Sequence, residues 1–197
     1  MIHITLASKS AIRAAILRGA GVSFEAVSPD VDEASVKEGL LARGGTPRSV
    51  AEALAVMKAV AVSRDRQGLV IGADQTLDLA GALYDKATSC DEARERLTLL
   101  KGRTHALHAA VAVALDGEAV WRHVETARLT MRAFSDRFLD GYLMRAGAAV
   151  LDSVGGYQLE GEGAQLFEEI DGDYFSILGL PLIPLLDALR REGALAQ

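Results

Sequence analysis

The short apolar run at residues 68–74 constrains this fold most, because it has the sequence GLVIGAD and ends in a carboxylate. A continuous run of this length is typical of a central strand that is buried on both faces of a sheet. Helical and strand patterns alternate around it, which favours an α/β fold with a mixed twisted sheet and flanking helices. We predict that Asp74 lies at the carboxyl end of this strand, where open α/β sheets bind ligands.

The N-terminal segment predicts a strand that leads directly into a helix. Ile2, Ile4 and Leu6 alternate with polar residues, and Ser8 and Ser10 precede the helical stretch AIRAAILRGAG. A serine at such a turn caps the helix and leaves backbone N–H groups free to bind an anion.

Turn and capping residues predict most of the remaining elements. No internal repeat or long linker interrupts the chain, so we expect one domain over residues 1–197, large enough for two lobes. The predicted helix caps are Thr46, Ser89 and Ser135, and the predicted hairpin turns lie at Gly81 and Asp116-Gly117.

The composition excludes several classes of protein. Half of the 197 residues are apolar, the net charge is -6 and no basic patch is visible, so a nucleic-acid polymer is not an expected partner. The single cysteine, Cys90, fits a reducing compartment. The first ten residues do not resemble a signal peptide, and no apolar stretch is long enough to span a bilayer. We predict a cytoplasmic protein without a membrane partner.

Two acidic positions are candidates for chemistry. Asp74 is either a cap for the turn after its strand or a catalytic carboxylate, and its position alone favours neither. Glu33 follows Asp30 and Asp32, and such a cluster can hold Mg²⁺ or Mn²⁺ through oxygen ligands. A solvated acidic loop is the commoner explanation for a cluster of this size.

Two cations lie along apolar stripes of predicted helices. Arg13 lies one helical turn before Leu17, and Lys58 lies one turn after Leu54. A cation in such a position either extends past the core to solvent, which is the commoner case, or faces a cleft. Lys86, which follows the first predicted hairpin, has no such pattern around it.

Several familiar catalytic motifs are absent from the sequence. It has no Walker A loop, no dinucleotide-binding glycine fingerprint, no G-x-S-x-G motif and no Cys/His spacing typical of zinc. The remaining cations, carboxylates and serine-lined turn suit a metal-assisted attack of water on a phosphate ester or anhydride.

A set of motifs in a fixed order resembles the Maf-type nucleotide pyrophosphatases, which are also called septum-formation inhibitor proteins. The resemblance extends from about Leu6 to Gly193. Its motifs are LASKSAIRAAIL, FEAVSPDVDE, MKAVAVS, VIGADQT, DKATSCDEARERL, LKGRTH, GGYQLEGEGAQLFEEIDGDYFSILGLPL and LLDALRREG.

The resemblance implies a fold, a reaction and a cofactor. The fold would have two lobes around a central cleft, as in inosine triphosphatases, and a homodimer is common. The reaction would be hydrolysis of a non-standard or modified nucleoside triphosphate to the monophosphate and pyrophosphate, a house-cleaning activity that uses Mg²⁺ or Mn²⁺. The septum phenotype behind the family name leaves an alternative, a non-catalytic nucleotide-binding regulator of cell division.

The resemblance also assigns roles by position. Asp74 would be the general base and would share the metal with Glu33. The residues that would bind the triphosphate are Ser8, Ser10, Arg13, Lys58 and Lys86.

Three positions would determine which nucleotide is bound: Ile12, Gln75 and Glu160. Gln75 and Glu160 are similar to the branch that hydrolyses 7-methyl-GTP, whereas the branch acting on dTTP and UTP usually has threonine and glutamine there. A carboxylate at Glu160 can accept from N1 and N2 of a guanine edge, and it favours the positive charge of 7-methylguanine. We therefore predict a preference for 7-methyl-GTP.

Overall fold

The computed structural model describes residues 2–196 and contains one mixed sheet. Seven strands form this sheet within the described residues, in the order β2-β1-β3-β5-β6-β7, and β4 pairs with β3 outside that order. The strands are β1 (Ile4–Ala7), β2 (Glu25–Val27), β3 (Leu69–Leu79), β4 (Ala82–Tyr84), β5 (Thr104–Leu115), β6 (Glu118–Met131) and β7 (Phe167–Asp171).

Both strand directions occur in the sheet, as predicted. β1 pairs in parallel with β2 and β3, whereas the β3–β4 and β6–β7 pairs are antiparallel. The helices are α1 (Ala11–Gly19), α2 (Glu33–Leu41), α3 (Pro47–Ser63), α4 (Cys90–Leu100), α5 (Asp136–Ala146), α6 (Tyr174–Ile177) and α7 (Leu182–Arg191). Two short 3₁₀ helices span Gly147–Leu151 and Glu162–Leu166. The α/β fold with a mixed sheet is confirmed.

The described residues form two compact units. The first unit contains the residues up to Gln75, His108–Glu125 and those from Asp173 onward. The second unit contains Thr76–Leu107 and Thr126–Gly172. The central cleft that the family resemblance implies stays a prediction.

Small residues let α3 pack closely against the sheet in the first unit. Three alanines of α3 form one cluster with three alanines of β5; these are Ala51, Ala55, Ala59, Ala110, Ala112 and Ala114. A Cβ atom at Gly72 would lie 2.2 Å from the carbonyl oxygen of Ala55 and 2.5 Å from the backbone nitrogen of Ala59. Only glycine permits this close approach, which brings Lys58, between Ala55 and Ala59, beside the segment after Gly72.

The predicted helix starts are confirmed. The side chains of Ser10, Thr46, Ser89 and Ser135 each accept a backbone N–H of the first turn of α1, α3, α4 and α5. Ser89 accepts from the backbone nitrogen of Glu92, as in a capping box. The side chain of Glu92, however, accepts from the backbone nitrogen of Thr88 and not from that of Ser89.

Several structural elements escaped prediction: α2, β7, α6 and the two 3₁₀ helices. α2 has no buried residue, so its sequence lacks the apolar periodicity that reveals a helix. No helix within residues 2–196 is both long and apolar enough to cross a membrane.

Candidate active site

Asp74 lies within β3 and not at its end, so that part of the prediction is wrong. The strand continues to Leu79 because residues after Asp74 form the antiparallel pair with β4. The parallel pairing with β1, however, ends where Ala7 lies opposite Gly72. Asp74 therefore lies two residues beyond the carboxyl end of its parallel neighbour, which is where ligands bind in open α/β sheets.

Lys58 of α3 connects the two predicted acidic positions. Its Nζ atom lies 2.6 Å from Oδ1 of Asp74 and 3.0 Å from Oε1 of Glu33. Lys58 is only 6% exposed and Asp74 only 8%. Lys58 thus does not extend past the core to solvent, which was the commoner explanation of its position on an apolar stripe.

The acidic cluster around Glu33 divides into separate roles. Glu33 is the first residue of α2, and its half-exposed side chain reaches Lys58. Asp32 caps the same helix by accepting from the backbone nitrogen and hydroxyl of Ser35 at 3.1 and 2.6 Å. Asp30 is exposed. Only Glu33 of this cluster therefore belongs to the group around Lys58.

Arg13 of α1 is held by backbone carbonyl groups on both of its sides. Its Nε atom donates to the carbonyl oxygen of Gly179 at 2.8 Å, and Nη1 donates to that of Ala73 at 2.9 Å. Ser8 accepts from the same Nη1 at 3.4 Å and from the backbone nitrogen of Ser10 at 3.2 Å. These bonds place the guanidinium beside the strand segment that carries Asp74.

Burial and charge act in opposite directions on this group. Burial raises the pKa of Asp74, while the nearby Lys58 and Arg13 limit that rise. Burial also disfavours the charged form of Arg13 and so lowers its pKa, while the negative charges of Asp74 and Glu33 oppose that change. A buried carboxylate with a raised pKa is a better proton acceptor near neutral pH than an ordinary aspartate.

Two of the predicted specificity positions are engaged inside the first unit. Gln75 donates through Nε2 to the carbonyl oxygens of Ser176 and Ile177, both at 3.0 Å. Ile12 packs against the apolar core of this unit.

The third specificity position, Glu160, belongs to the second unit, as does Lys86, which was predicted to bind the triphosphate. Lys86 is exposed and follows β4, and Glu160 is exposed in a turn before the 3₁₀ helix Glu162–Leu166. Burial, together with Glu162 and Glu160, raises the pKa of Tyr142 to about 12. Tyr142 lines a cavity of about 240 Å³ in this unit. The placement of Lys86 and Glu160 relative to Asp74 stays a prediction.

No three-residue metal cluster exists within residues 2–196. No group of three or more His, Cys, Asp or Glu side chains there lies close enough together to hold a metal ion. Glu33 and Asp74 are nevertheless close to one another, since both contact the same ammonium group. Mg²⁺ is commonly held by one or two carboxylates, with substrate phosphates and water as its other ligands. The two carboxylates fit such a site.

Sequence reasoning missed two residues, Arg96 beside the segment that carries Lys86 and Gly179 at Arg13. Arg96 of α4 donates to the carbonyl oxygens of Asp85 and Val154 at 2.8 and 2.9 Å, next to Lys86. It lies on the buried stripe of α4, so the criterion that singled out Arg13 would have found it. Gly179 carried no signal beyond being a glycine.

Comparisons with known proteins show the family. Residues 3–192 match the family described as Maf-like protein. A nucleoside triphosphate pyrophosphatase of Caulobacter vibrioides is 64% identical over 98% of this chain and 96% of its own length. A 7-methyl-GTP pyrophosphatase of Brucella abortus is 48% identical over 97% of this chain and 96% of its own length. The chain therefore belongs to the Maf family, as its motifs predicted.

Similarity to solved structures is weaker. A nucleoside-triphosphatase, or dITP/XTP pyrophosphatase, of Mycobacterium abscessus aligns over 98% of this chain and 94% of that chain. The sequence identity is 15% and the TM-score is 0.46, a likeness too low to support an argument about function.

Proposed function

We propose that this protein is a nucleoside triphosphate pyrophosphatase, which cleaves the bond between the α and β phosphates and releases a monophosphate and pyrophosphate. The names of its full-length relatives support this activity. The observation that carries the proposal is the buried carboxylate of Asp74, 2.6 Å from Lys58 and joined through Lys58 to Glu33.

Asp74 acts as the general base in this proposal. A water molecule that donates to its carboxylate loses a proton to it while attacking phosphorus. The pKa of Asp74 is raised by burial, which strengthens it as an acceptor, while Lys58 keeps the ionised form accessible. Protonation of Asp74 therefore stops the reaction.

Arg13 and Lys58 stabilise the charge that builds on the phosphate oxygens as the anhydride breaks. Lys86 is assigned the same role through the family resemblance. Ser8 already accepts hydrogen bonds from Ser10 and Arg13, so its own hydroxyl hydrogen is available for donation to a phosphate oxygen. The side chain of Ser10 accepts from the nitrogen of Arg13 and has the same capacity.

Glu33 and Asp74 would hold a divalent cation, Mg²⁺ or Mn²⁺. Such an ion would neutralise phosphate charge and help to orient the triphosphate. Because Lys58 lies between the two carboxylates and neutralises one of them, the pair retains one net negative charge toward the ion.

We further propose that 7-methyl-GTP is preferred over dTTP and UTP. Glu160 is exposed and can accept from the donors of a methylated guanine edge. Several relatives of nearly full length are named 7-methyl-GTP pyrophosphatases. We expect Glu160→Gln to lower kcat/KM for 7-methyl-GTP relative to UTP. An unchanged ratio of the two kcat/KM values would show that Glu160 does not determine the nucleotide preference.

A nucleotide panel with product identification tests the proposed activity. With Mg²⁺ or Mn²⁺ present, the protein should release pyrophosphate and not orthophosphate from at least one nucleoside triphosphate. Release of orthophosphate would indicate a general phosphatase. Tight triphosphate binding without turnover would favour the division regulator. We place the activity in the cytoplasm, as house-cleaning of modified nucleotides.

A further inference from the structure

We propose that Gln75 is a positioning residue that holds Arg13 in place through α6, and that its amide nitrogen does not donate to the nucleobase. This inference rests on the proposed role of Arg13 in binding the triphosphate. It replaces our sequence-based interpretation of Gln75 as a direct specificity residue.

Both N–H groups of the Gln75 amide are already used. Nε2 donates to the carbonyl oxygens of Ser176 and Ile177 at 3.0 and 3.0 Å. The opposite orientation of the amide would place Oε1 against these two oxygens, so the hydrogen-bond partners fix the orientation. Gln75 therefore has no N–H left with which to recognise a base.

These bonds secure one end of α6, which is only four residues long. A single helical turn is not stable by itself, because its nucleation is unfavourable. Asp173 holds its first turn by accepting from the backbone nitrogen and the hydroxyl of Ser176, both at 2.7 Å. Gln75 holds the carbonyl groups of its last two residues, so side chains fix the turn at both ends.

The segment after α6 leads directly to Arg13. Gly179 adopts φ +97°, and its carbonyl oxygen accepts from Nε of Arg13 at 2.8 Å. A Cβ atom at Gly179 would lie 3.4 Å from that Nε and 3.7 Å from Oε1 of Gln75. Gln75 and Arg13 thus border the same glycine, and the position of α6 determines the position of the carbonyl that holds Arg13.

Removal of the Gln75 amide should therefore weaken the binding of phosphate whatever base is attached. The test uses tripolyphosphate, which has no base, and Gln75→Met, which retains the length of the side chain without its donors. We expect the Kd for tripolyphosphate, measured by calorimetry, to rise about tenfold. This is the size of effect expected when one hydrogen bond between Arg13 and phosphate is lost. The KM values for 7-methyl-GTP and UTP should rise by the same factor, with a smaller change in kcat.

Two further variants serve as a second test and as a matched control. Gly179→Ala should reproduce the loss of tripolyphosphate affinity, because alanine is strained at φ +97° and relief of that strain would move the carbonyl that holds Arg13. Gln165→Met makes the same chemical change at an exposed glutamine of the second unit and should leave Kd within about twofold. Should Gln75→Met fail to fold, Gln75→Leu, which lacks the donors and adds no charge, takes its place.

The inference and the proposed function fail in different ways. A Gln75→Met protein that binds tripolyphosphate as the wild type does would overturn the inference, and a KM change confined to one base would restore the base-contact role. Wild-type turnover without tripolyphosphate binding would also overturn it. A wild type that binds tripolyphosphate but hydrolyses no nucleotide would overturn the proposed function alone.

Discussion

Lys58 and Asp74 form a buried ion pair with their charged atoms 2.6 Å apart. Glu33 contacts the same ammonium group from the partly exposed side. Because a buried charge is costly without a partner, the three groups depend on one another for stability as well as for chemistry.

Replacement of Lys58 by methionine should lower both stability and activity. The variant leaves Asp74 without its closest cation, so we expect a loss of about 3 kcal/mol in the free energy of unfolding at pH 7. The loss should be smaller at pH 5 than at pH 7, because removal of Lys58 raises the pKa of Asp74 further and a protonated Asp74 no longer needs a partner. Urea denaturation at both pH values measures this difference.

The matched control for Lys58→Met is Lys101→Met. Lys101 pairs with Asp136 at 3.2 Å on the surface, where an ion pair contributes little because water screens it. We expect this variant to change the free energy of unfolding by less than about 1 kcal/mol. Equal losses in the two variants would contradict the account of the buried pair.

The pH dependence of activity should report the raised pKa of Asp74. Because the base must be ionised, kcat/KM should fall as the pH decreases through the folded-state pKa, which lies above that of an ordinary aspartate. The sign for stability is opposite, since a raised folded pKa means that protonation favours the folded state. Asp74→Asn removes this buried negative charge, and Lys58 keeps Glu33 as its partner, so the free energy of unfolding at pH 7 should change little.

An exposed aspartate provides the control for these measurements. Asp65 lies on the surface after α3, and Asp65→Asn should retain the wild-type pH–rate profile. An acid limb at the ordinary aspartate pKa would show that burial does not raise the pKa of Asp74.

His105 should make the protein less stable in mild acid. It is 2% exposed, its Nδ1 atom has no hydrogen-bond partner, and burial lowers its pKa to about 4. The unfolded chain takes up a proton near pH 6.5, whereas the folded protein does so only near pH 4. The free energy of unfolding should therefore decrease by about 3 kcal/mol as the pH falls across this interval.

His105→Gln isolates that contribution. Nε2 of His105 and the hydroxyl of Tyr157 form a hydrogen bond of 2.6 Å, and glutamine can either donate to that hydroxyl or accept from it, but it does not titrate. Denaturation at pH 7 and pH 4.5 should show a smaller acid loss in the variant than in the wild type. An identical pH dependence in both proteins would rule out His105 as the source.

Arg96→Met should destabilise the second unit and weaken triphosphate binding. It leaves the carbonyl oxygens of Asp85 and Val154 without their donor, at a cost of about 2 kcal/mol. Lys86, which we propose binds the triphosphate, directly follows Asp85. The variant should therefore raise the KM more than it lowers kcat. Arg94→Met, which removes only an exposed ion pair with Asp140, should change neither the stability nor the KM appreciably.

Sequence reasoning succeeded for features that depend on residues close together in the chain, such as helix caps and turns. The caps at Ser10 and Thr46 and the turn at Asp116-Gly117 depend on adjacent residues, so the sequence predicted them. α2 was missed because it buries no side chain. The end of β3 was misplaced because its apolar run continues into a hairpin strand.

Contacts between distant segments were beyond such reasoning. Arg13 and Gly179 are separated by 166 positions, and nothing near either residue indicates the other. The apolar stripes and the buried run marked Arg13, Lys58 and Asp74 as candidates, and the family resemblance assigned their roles. Only the structure shows that Lys58 joins Asp74 to Glu33 and that Arg13 is held by backbone carbonyl groups.

The most direct test of the central claim is the rate of pyrophosphate release by wild-type protein and by Asp74→Asn with Mg²⁺ and 7-methyl-GTP. The account predicts steady release by the wild type and a decrease of about 10³-fold in the variant, with an unchanged melting temperature and unchanged tripolyphosphate affinity. A folded Asp74→Asn protein that releases pyrophosphate at the wild-type rate would contradict it.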